Sequence, residues 1–365
     1  MLSRIVARLI IYLILITSSP VMSQAAVLPE ERLDAMYHSY DGGGVKVDGP
    51  ALLVRKNFAE QVSVSAFYYA DAVSSASIDV LTTASPFTDD RTESGLGIDY
   101  LRRNTLMSLS FSTSDEEDYQ ADTVNFSLAQ EMFGGMTTLT LGYGVGRDVV
   151  SRVDNDFEDD IDRYSYRLGL SQILSKTLLV NVDYEAVADD GFLNSPYRAA
   201  QILGAFVPER YPRTRESHAL SLRILKYLQS GRSLRAEYRR FWDTWDISAD
   251  TLELGFNKYF GRRWLMEFRY RYYTQDAASF YSDNFTAEQN FMARDKELST
   301  FTSNSLGGKF SYTFLQNGAH TLVKGTFSFS YDFIKFDYDN FTDIRNGKLF
   351  SFDADVIQLF VSLWY

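Results

Sequence analysis

From about Gln61 to Tyr365, large apolar residues recur at every second position, in runs separated by polar connections. The last run is the clearest. Tyr365, Leu363, Val361, Leu359 and Ile357 are apolar, and they alternate with the mixed face Trp364, Ser362, Phe360, Gln358 and Val356. A period of two predicts a strand with one apolar side. The same alternation runs through Val62, Val64, Ala66 and Tyr68, through Tyr164, Tyr166, Leu168 and Leu170, and through Trp264, Met266, Phe268, Tyr270 and Tyr272. Connections are by turns short and long. Short ones fall at Arg102–Asn104, Gly134-Gly135, Ser175-Lys176, Ser230-Gly231, Gly261–Arg263 and Asn317-Gly318. Long ones fall near Ser85-Pro86, at Ser114–Asp122, at Asp154–Asp162, across Ala188–Arg215 and across Thr274–Lys296.

Strands of roughly 9–11 residues with apolar outer faces, short turns at one end and long loops at the other are the pattern of a transmembrane antiparallel up-and-down β-barrel. Residues 61–365 count fourteen such strands. Val47–Phe58 carries Pro50 near its start and would be an odd fifteenth strand, so residues 26–60 are expected to thread or plug the lumen from the periplasmic side. An extra strand pair there, giving sixteen, is the alternative. A water-soluble β-helix or propeller is the rival architecture. It needs no apolar face turned away from its own core, and no fixed-period repeat is visible. A last strand ending on an aromatic resembles the closing strand of bacterial outer-membrane barrels. That resemblance implies that Tyr365, Leu363 and Val361 form an assembly signal read by the barrel-assembly machinery.

The N-terminus fits this destination. Arg4 and Arg8 precede an apolar core, Leu9–Ile16, and Ser23-Gln24-Ala25 supplies small residues at cleavage spacing, so residues 1–25 read as a secretory signal peptide. A membrane anchor would need about 20 apolar residues. The 24 tyrosines and 27 phenylalanines would supply interfacial girdles, and the absence of cysteine rules out disulfides and Cys-ligated metal or haem. Net charge is −12, and the two signal-peptide arginines are its only charges, so the rest of the chain is more acidic still. Nucleic acid is an unsuitable partner for such a chain. The expected surroundings are outer-membrane lipid and lipopolysaccharide, the latter bridged to the acidic exterior by divalent cations.

Several segments resemble a family of predicted Gram-negative outer-membrane β-barrels that carries only a domain-of-unknown-function label. They are VDGPALLVRKNF (47–58), YADAVSSASIDVLTTASPF (69–87), VPERYPRTRESHALSLR (207–223), RYRYYTQDAASFYSDNF (269–285) and ARDKELSTF (293–301). The resemblance implies the barrel fold but carries no functional residue with it. Members tend to be encoded near small lipoproteins, thioredoxin-like proteins and flavin transferases, which implies an envelope redox setting.

Inward positions hold the candidate chemistry. Arg223, then Arg235, Glu237 and Arg239, then Glu253, then Glu267, Arg269 and Arg271 fall on one lumenal wall. Arg167, Asp183 and Glu185 lie nearby, with Lys324 and Asp332 further round. On the lipid side each charge would cost ~2–4 kcal/mol at mid-depth, which fixes the phase. Such a wall is either a cross-strand ion-pair ladder that stiffens the barrel and grips a plug, or an arginine strip that orients anionic solutes.

The loop Gly191–Pro212 is apolar where an outer loop should be polar, which predicts inward folding, as a constriction of the mouth or as an apolar-ligand site. Asp71–Ser85 is rich in small residues, as close backbone packing requires. Asp154, Asp156, Asp159 and Asp160 lack the spacing of a calcium loop and read as a solvated acidic loop. Of His38, His218 and His320, only His218 lies near the outer rim, and Ser217 beside it would point to the opposite face. No catalytic residue, metal site or cofactor is predicted. The expected function is a channel or transporter for small, anionic solutes with a partly occluded lumen. The alternatives are a non-conducting scaffold for a periplasmic or lipoprotein partner and, third, an outer-membrane hydrolase.

Overall fold

Alternation of this kind has one stable outcome in lipid: every backbone N–H and C=O must be paired, and a closed sheet pairs them all. The computed structural model describes residues 27–75, 87–316, 318 and 322–365, and the predicted signal peptide and His320 lie outside them. Its strands are β1 (Arg32–Gly42), β2 (Val45–Phe58), β3 (Val62–Ser75), β4 (Phe87–Arg102), β5 (Thr105–Asp115), β6 (Tyr119–Met132), β7 (Thr137–Ser151), β8 (Glu158–Ser175) and β9 (Leu178–Gly191). A hairpin follows, β10 (Ala199–Ile202) and β11 (Ala205–Pro208), and then β12 (Thr214–Leu228), β13 (Arg232–Asp243), β14 (Ser248–Phe260), β15 (Trp264–Gln275), β16 (Phe301–Gln316), β17 (Lys324–Asp343) and β18 (Lys348–Trp364). All but β10 and β11 form one closed antiparallel sheet of sixteen strands, sealed where β1 pairs with β18 from Arg32↔Trp364 to Gly42↔Ala354. The protein is a transmembrane antiparallel β-barrel.

The alternative of an extra strand pair, giving sixteen, therefore holds, and the count of fourteen with an N-terminal plug is corrected. Residues 32–58 are not in the lumen; they are the first hairpin of the wall. Their alternation was hidden for two reasons. The outward side of β1 holds Leu33, Ala35 and Tyr37 and then turns polar at Ser39 and Asp41, so the apolar run is short. In β2, the ladder to β3 skips Gly49 and Pro50, which is where a residue without an N–H does no harm. Gly49 also lies where a Cβ would sit 1.8 Å from the carbonyl oxygen of Ala70.

Outward positions expose large apolar side chains on every side of the barrel, among them Leu52, Leu96, Phe111, Leu168, Leu254 and Leu306. Toward the long-loop rim, tyrosine hydroxyls on this face donate to polar groups on the next strand: Tyr37 to Asp48 (2.7 Å), Tyr238 to Asp250 (2.5 Å) and Tyr331 to Asp355 (2.5 Å). An apolar ring with a polar tip suits the lipid–water interface. His218 belongs to this girdle. It stacks on Tyr184 and Trp242, and its Nδ1 lies 2.9 Å from the Tyr184 hydroxyl.

The described N-terminal end, the C-terminus and the turns at 59–61, 103–104, 133–136, 176–177, 229–231 and 261–263 share one rim, and the two longest described loops rise at the other. There, residues 276–300 and the β10–β11 hairpin bind each other into a lid. Trp245, Ile247, Ala278, Phe280, Ala293 and Leu298 form one buried cluster, and Ala200, Phe285 and Met292 a second. Single bridges, Ile202↔Phe285 and Arg210↔Met292, tie the hairpin to the longer loop. The apolar character of Gly191–Pro212 is explained by this packing. Even so, the hairpin tip leaves Leu203 and Phe206 exposed.

Candidate functional site

Register decides which inward side chains meet. Residues paired across an antiparallel ladder share a face, so Asp183↔Ser221↔Arg239↔Thr251↔Tyr273 is one row around the lumen. Asn181↔Arg223↔Glu237↔Glu253↔Arg271↔Ser305 is the next row toward the short-turn rim. Arg235↔Gly255↔Arg269↔Gly307↔Asp332 is the one after that. The row containing Glu237, Glu253 and Arg271 puts two carboxylates side by side. Arginines from the flanking positions resolve the repulsion.

Arg223 grips Glu237 with two bonds, Nε to Oε2 at 2.6 Å and Nη2 to Oε1 at 3.1 Å. Arg235 reaches diagonally to Glu253. Arg269 reaches past β16 to Asp332 on β17, aided by Ser330 Oγ at 3.3 Å. Two glycines make the longer reaches available. A Cβ on Gly307 would lie 1.8 Å from Asp332 Oδ1 and 2.9 Å from Arg269 Nε, and a Cβ on Gly255 would lie 3.4 Å from Arg235 Nε. On the other flank Arg167 bonds Asp183 at 3.2 Å and approaches Glu185 to 3.8 Å.

Three arginine–carboxylate pairs plus the Arg167 group make the ladder. Others of the predicted wall stand apart from it. Among the described residues Arg239 comes no nearer to an acid than 4.0 Å, at Glu185, and its guanidinium lies 5.7 Å from the Phe241 ring centre. Arg271 has no carboxylate within 4.0 Å among the described residues and sits 6.0 Å from the Tyr273 ring centre. Glu267 stands opposite Lys309 in register without an ion pair between them, Lys309 lying over the Phe360 ring. Lys324 is at the short-turn rim over the Trp364 ring, away from the ladder. Of the residues expected to form an assembly signal, Leu363 and Val361 lie on β18, and the Tyr365 hydroxyl donates to the Arg55 carbonyl at 2.8 Å.

Several charged groups escaped the sequence reading. Arg215, bonded twice to Asp243 (2.6 and 2.9 Å), and Arg55, bonded to Asp99 (2.9 Å), both face inward. Arg55 would have been found had 47–58 been assigned to the wall. A buried group links the first strands: His38 Nε2 lies 2.6 Å from Asp71 Oδ1 and 2.9 Å from the Tyr69 hydroxyl, and the ring stacks on Tyr69. Both polar partners share one ring nitrogen, and Nδ1 has no partner among the described residues. In the acidic loop, Asp154 binds Arg152 (2.6 Å) and Asp159 binds Arg213 (2.8 Å at each oxygen). Within the lid, burial and the neighbouring Glu209 carboxylate hold the Tyr211 phenol well above its ordinary pKa, and its hydroxyl donates to Glu209 at 2.8 Å.

Residues 151–326 match the family described as "Protein of unknown function (DUF3570)". The chain resembles that family. Three of the five resembling segments, 207–223, 269–285 and 293–301, fall inside the match, while 47–58 and 69–87 lie outside it. No curated protein matches the chain. Among solved structures, a "Bacterial polysaccharide outer membrane secretin" is similar with a TM-score of 0.53 and 9% identity, over 93% of this chain and 99% of that one. A "CymD monoaromatic hydrocarbon channel" is similar at 0.45 and 11% identity (93% and 89% covered), and "outer membrane protein opdK from Pseudomonas aeruginosa" at 0.45 and 9% (93% and 100% covered). At these identities the likeness is one of fold. The fold is that of Gram-negative outer-membrane barrels.

Proposed function

We propose that this protein is a channel of the Gram-negative outer membrane for small anionic solutes, entered through a mouth that the two-loop lid partly occludes. Barrels of about 16 strands are wide enough to leave an aqueous lumen that side chains do not fill. The observation that carries the anionic preference is Arg271, which faces inward with no carboxylate within 4.0 Å among the described residues, together with Arg239, held only loosely by Glu185 at 4.0 Å, while the ladder arginines are neutralised in place. An unpaired guanidinium beside water attracts anions and repels cations.

The test is the reversal potential of purified protein in planar bilayers under a salt gradient. Anion preference is expected, and Arg239→Glu with Arg271→Glu should turn it toward cations. Unchanged selectivity in that variant would defeat the reading. The lid's buried clusters favour a second reading, a closed barrel that anchors a periplasmic or lipoprotein partner. Absence of discrete conductance, both in the full chain and after the lid is loosened by Phe280→Ala and Met292→Ala, would decide for it.

A further inference from the structure

Short turns in such barrels lie on the periplasmic side, so the rim that carries them here is the periplasmic one. One arc of it has an unusual charge. Acids outnumber bases 48 to 36 in the chain, yet segments 171–180, 224–236, 255–266 and 308–316, which meet this arc, contain no Asp or Glu. Bases gather there instead. Lys226, Arg232 and Lys258 hold outward positions, in phase with Ile224, Leu234 and Phe256, on three consecutive strands about 4.8 Å apart. Lys176, Arg262 and Arg263 lie in the adjoining turns.

These bases lack acidic partners. Arg232 and Lys258 stand directly opposite each other in register, an arrangement that repels. Among the described residues none of the bases just named has a carboxylate within 4.0 Å. Lys226 Nζ donates to Thr177 Oγ1 (3.0 Å), Arg232 Nε to the Gln229 carbonyl (3.0 Å), and Lys258 lies over the Phe260 ring. The opposite arc of the same rim is mixed in sign. There Lys56 bonds Glu31 (3.0 Å), and Arg102 and Arg103 share the rim with Glu60 and Glu131.

Beside Lys226 the lipid face is dented. A groove of about 470 Å³ runs over Ala236, which stands between Ile224 and Leu254 in register. Leu234, Phe256 and Phe268 form its side nearer the rim, and Lys226 ends that row. Arg235 and Arg269 also border the groove, but Glu253 and Asp332 hold their guanidinium groups inside the barrel. Trp264, close to Phe310 and Tyr312 (ring centres 4.8 and 4.2 Å away), marks the headgroup level on the same arc.

We propose that this arc binds an anionic glycerophospholipid of the periplasmic leaflet. Its phosphate lies among Lys226, Arg232 and Lys258, and one acyl chain follows the groove over Ala236. The anion relieves the repulsion between Arg232 and Lys258, and the chain fills the dent. An acidic periplasmic protein would meet the turn arginines but not the groove, which faces the bilayer. The inference is independent of what the lumen conducts.

Electron paramagnetic resonance of spin-labelled lipids tests it, with the full chain reconstituted in phosphatidylcholine vesicles. Labelled phosphatidylglycerol is expected to be held at the protein surface about fivefold or more over labelled phosphatidylcholine, since one base near the membrane surface supplies about that much. Lys226→Gln, Arg232→Gln and Lys258→Gln together should abolish the preference. Arg102→Gln with Arg103→Gln, on the mixed arc, should leave it unchanged. Ala236→Phe fills the groove with every charge in place and should also lower phosphatidylglycerol retention. Sodium phosphate should displace no more lipid than sodium chloride of equal ionic strength. Equal retention of the two lipids would leave the bases to an acidic periplasmic protein and overturn the proposal. So would an undiminished preference in the triple variant, or an equal loss in the Arg102 and Arg103 variant. Specific displacement by inorganic phosphate, or retention indifferent to Ala236→Phe, would reduce the arc to a phosphate site and overturn the lipid.

Discussion

Gly307 is a position where one methyl group should be costly, and the cost can be worked out from its neighbours. It stands between Arg269 and Asp332 in register, and an added Cβ would fall 1.8 Å from the Asp332 carboxylate oxygen and 2.7 Å from its Cγ. Asp332 is almost fully buried, so Gly307→Ala must displace the carboxylate from the guanidinium without giving it to water. Breaking a buried pair costs about 3–5 kcal/mol. The Arg269 side chain keeps about a third of its exposure, so screening trims that figure. Alanine also recovers about 0.5–1 kcal/mol relative to glycine within a strand. A net loss of about 2 kcal/mol is expected.

Next door, Gly308 faces lipid, and its nearest Cβ contacts would be 3.6 and 4.0 Å, so Gly308→Ala should be neutral or slightly stabilising. Urea unfolding in detergent micelles, followed by tryptophan fluorescence, reads both from the midpoint at constant slope. In an Asp332→Ala background, Gly307→Ala should lose nearly all its cost, because the obstructing carboxylate is gone. Equal midpoints for the two glycine variants, or an undiminished cost in the Asp332→Ala background, would refute the ladder as described.

Further outcomes follow from other parts of the molecule. Met292→Ala empties a fully buried site in the lid and should cost about 2–5 kcal/mol of lid stability, read as faster proteolysis within residues 276–300 while the barrel stays resistant. Tyr211 keeps its proton in the folded lid after an unfolded tyrosine would have lost it near pH ~10. Its contribution is therefore fully present below about pH 10 and is lost as pH rises beyond it. Alkaline phenolate absorbance with a simultaneous change in Trp245 emission should report lid release, and Tyr211→Phe should move that transition to higher pH. Leu363→Ser and Val361→Ser together should slow folding into vesicles, measured by heat-modifiable gel migration; unaltered kinetics would remove these positions from the assembly signal.

The lipid face was legible because lipid imposes a strict rule on it. Every second residue must be apolar, and Leu252, Leu254, Phe268 and Tyr270 obey. The charged wall was legible by the same rule in reverse. What sequence could not supply was pairing. Arg269 meets Asp332 across an intervening strand because Gly307 has no side chain, and nothing in local order announces a contact between residues separated by a whole hairpin. Arg271 was grouped with the ladder because it faces inward, yet its register neighbour Glu253 is taken by Arg235. The first hairpin was missed where Ser39 and Asp41 end the apolar run of β1 and where Gly49-Pro50 interrupts β2. The lid was visible only as an apolar loop, since its partner, residues 276–300, has no period of its own.

A membrane barrel requires lipid and water to alternate along every strand of the sheet, including the first two. The chain has no cysteine, so single Cys spin labels can be placed cleanly at positions 52–55 of β2 and 251–254 of β14 in protein reconstituted into bilayers. The expected result is a period of two in collisional accessibility. Oxygen should be favoured at Leu52, Val54, Leu252 and Leu254, and a water-soluble nickel complex at Leu53, Arg55, Thr251 and Glu253. Uniform accessibility along β14 would contradict the membrane barrel, and a nickel-accessible, non-alternating β2 would return residues 32–58 to the lumen.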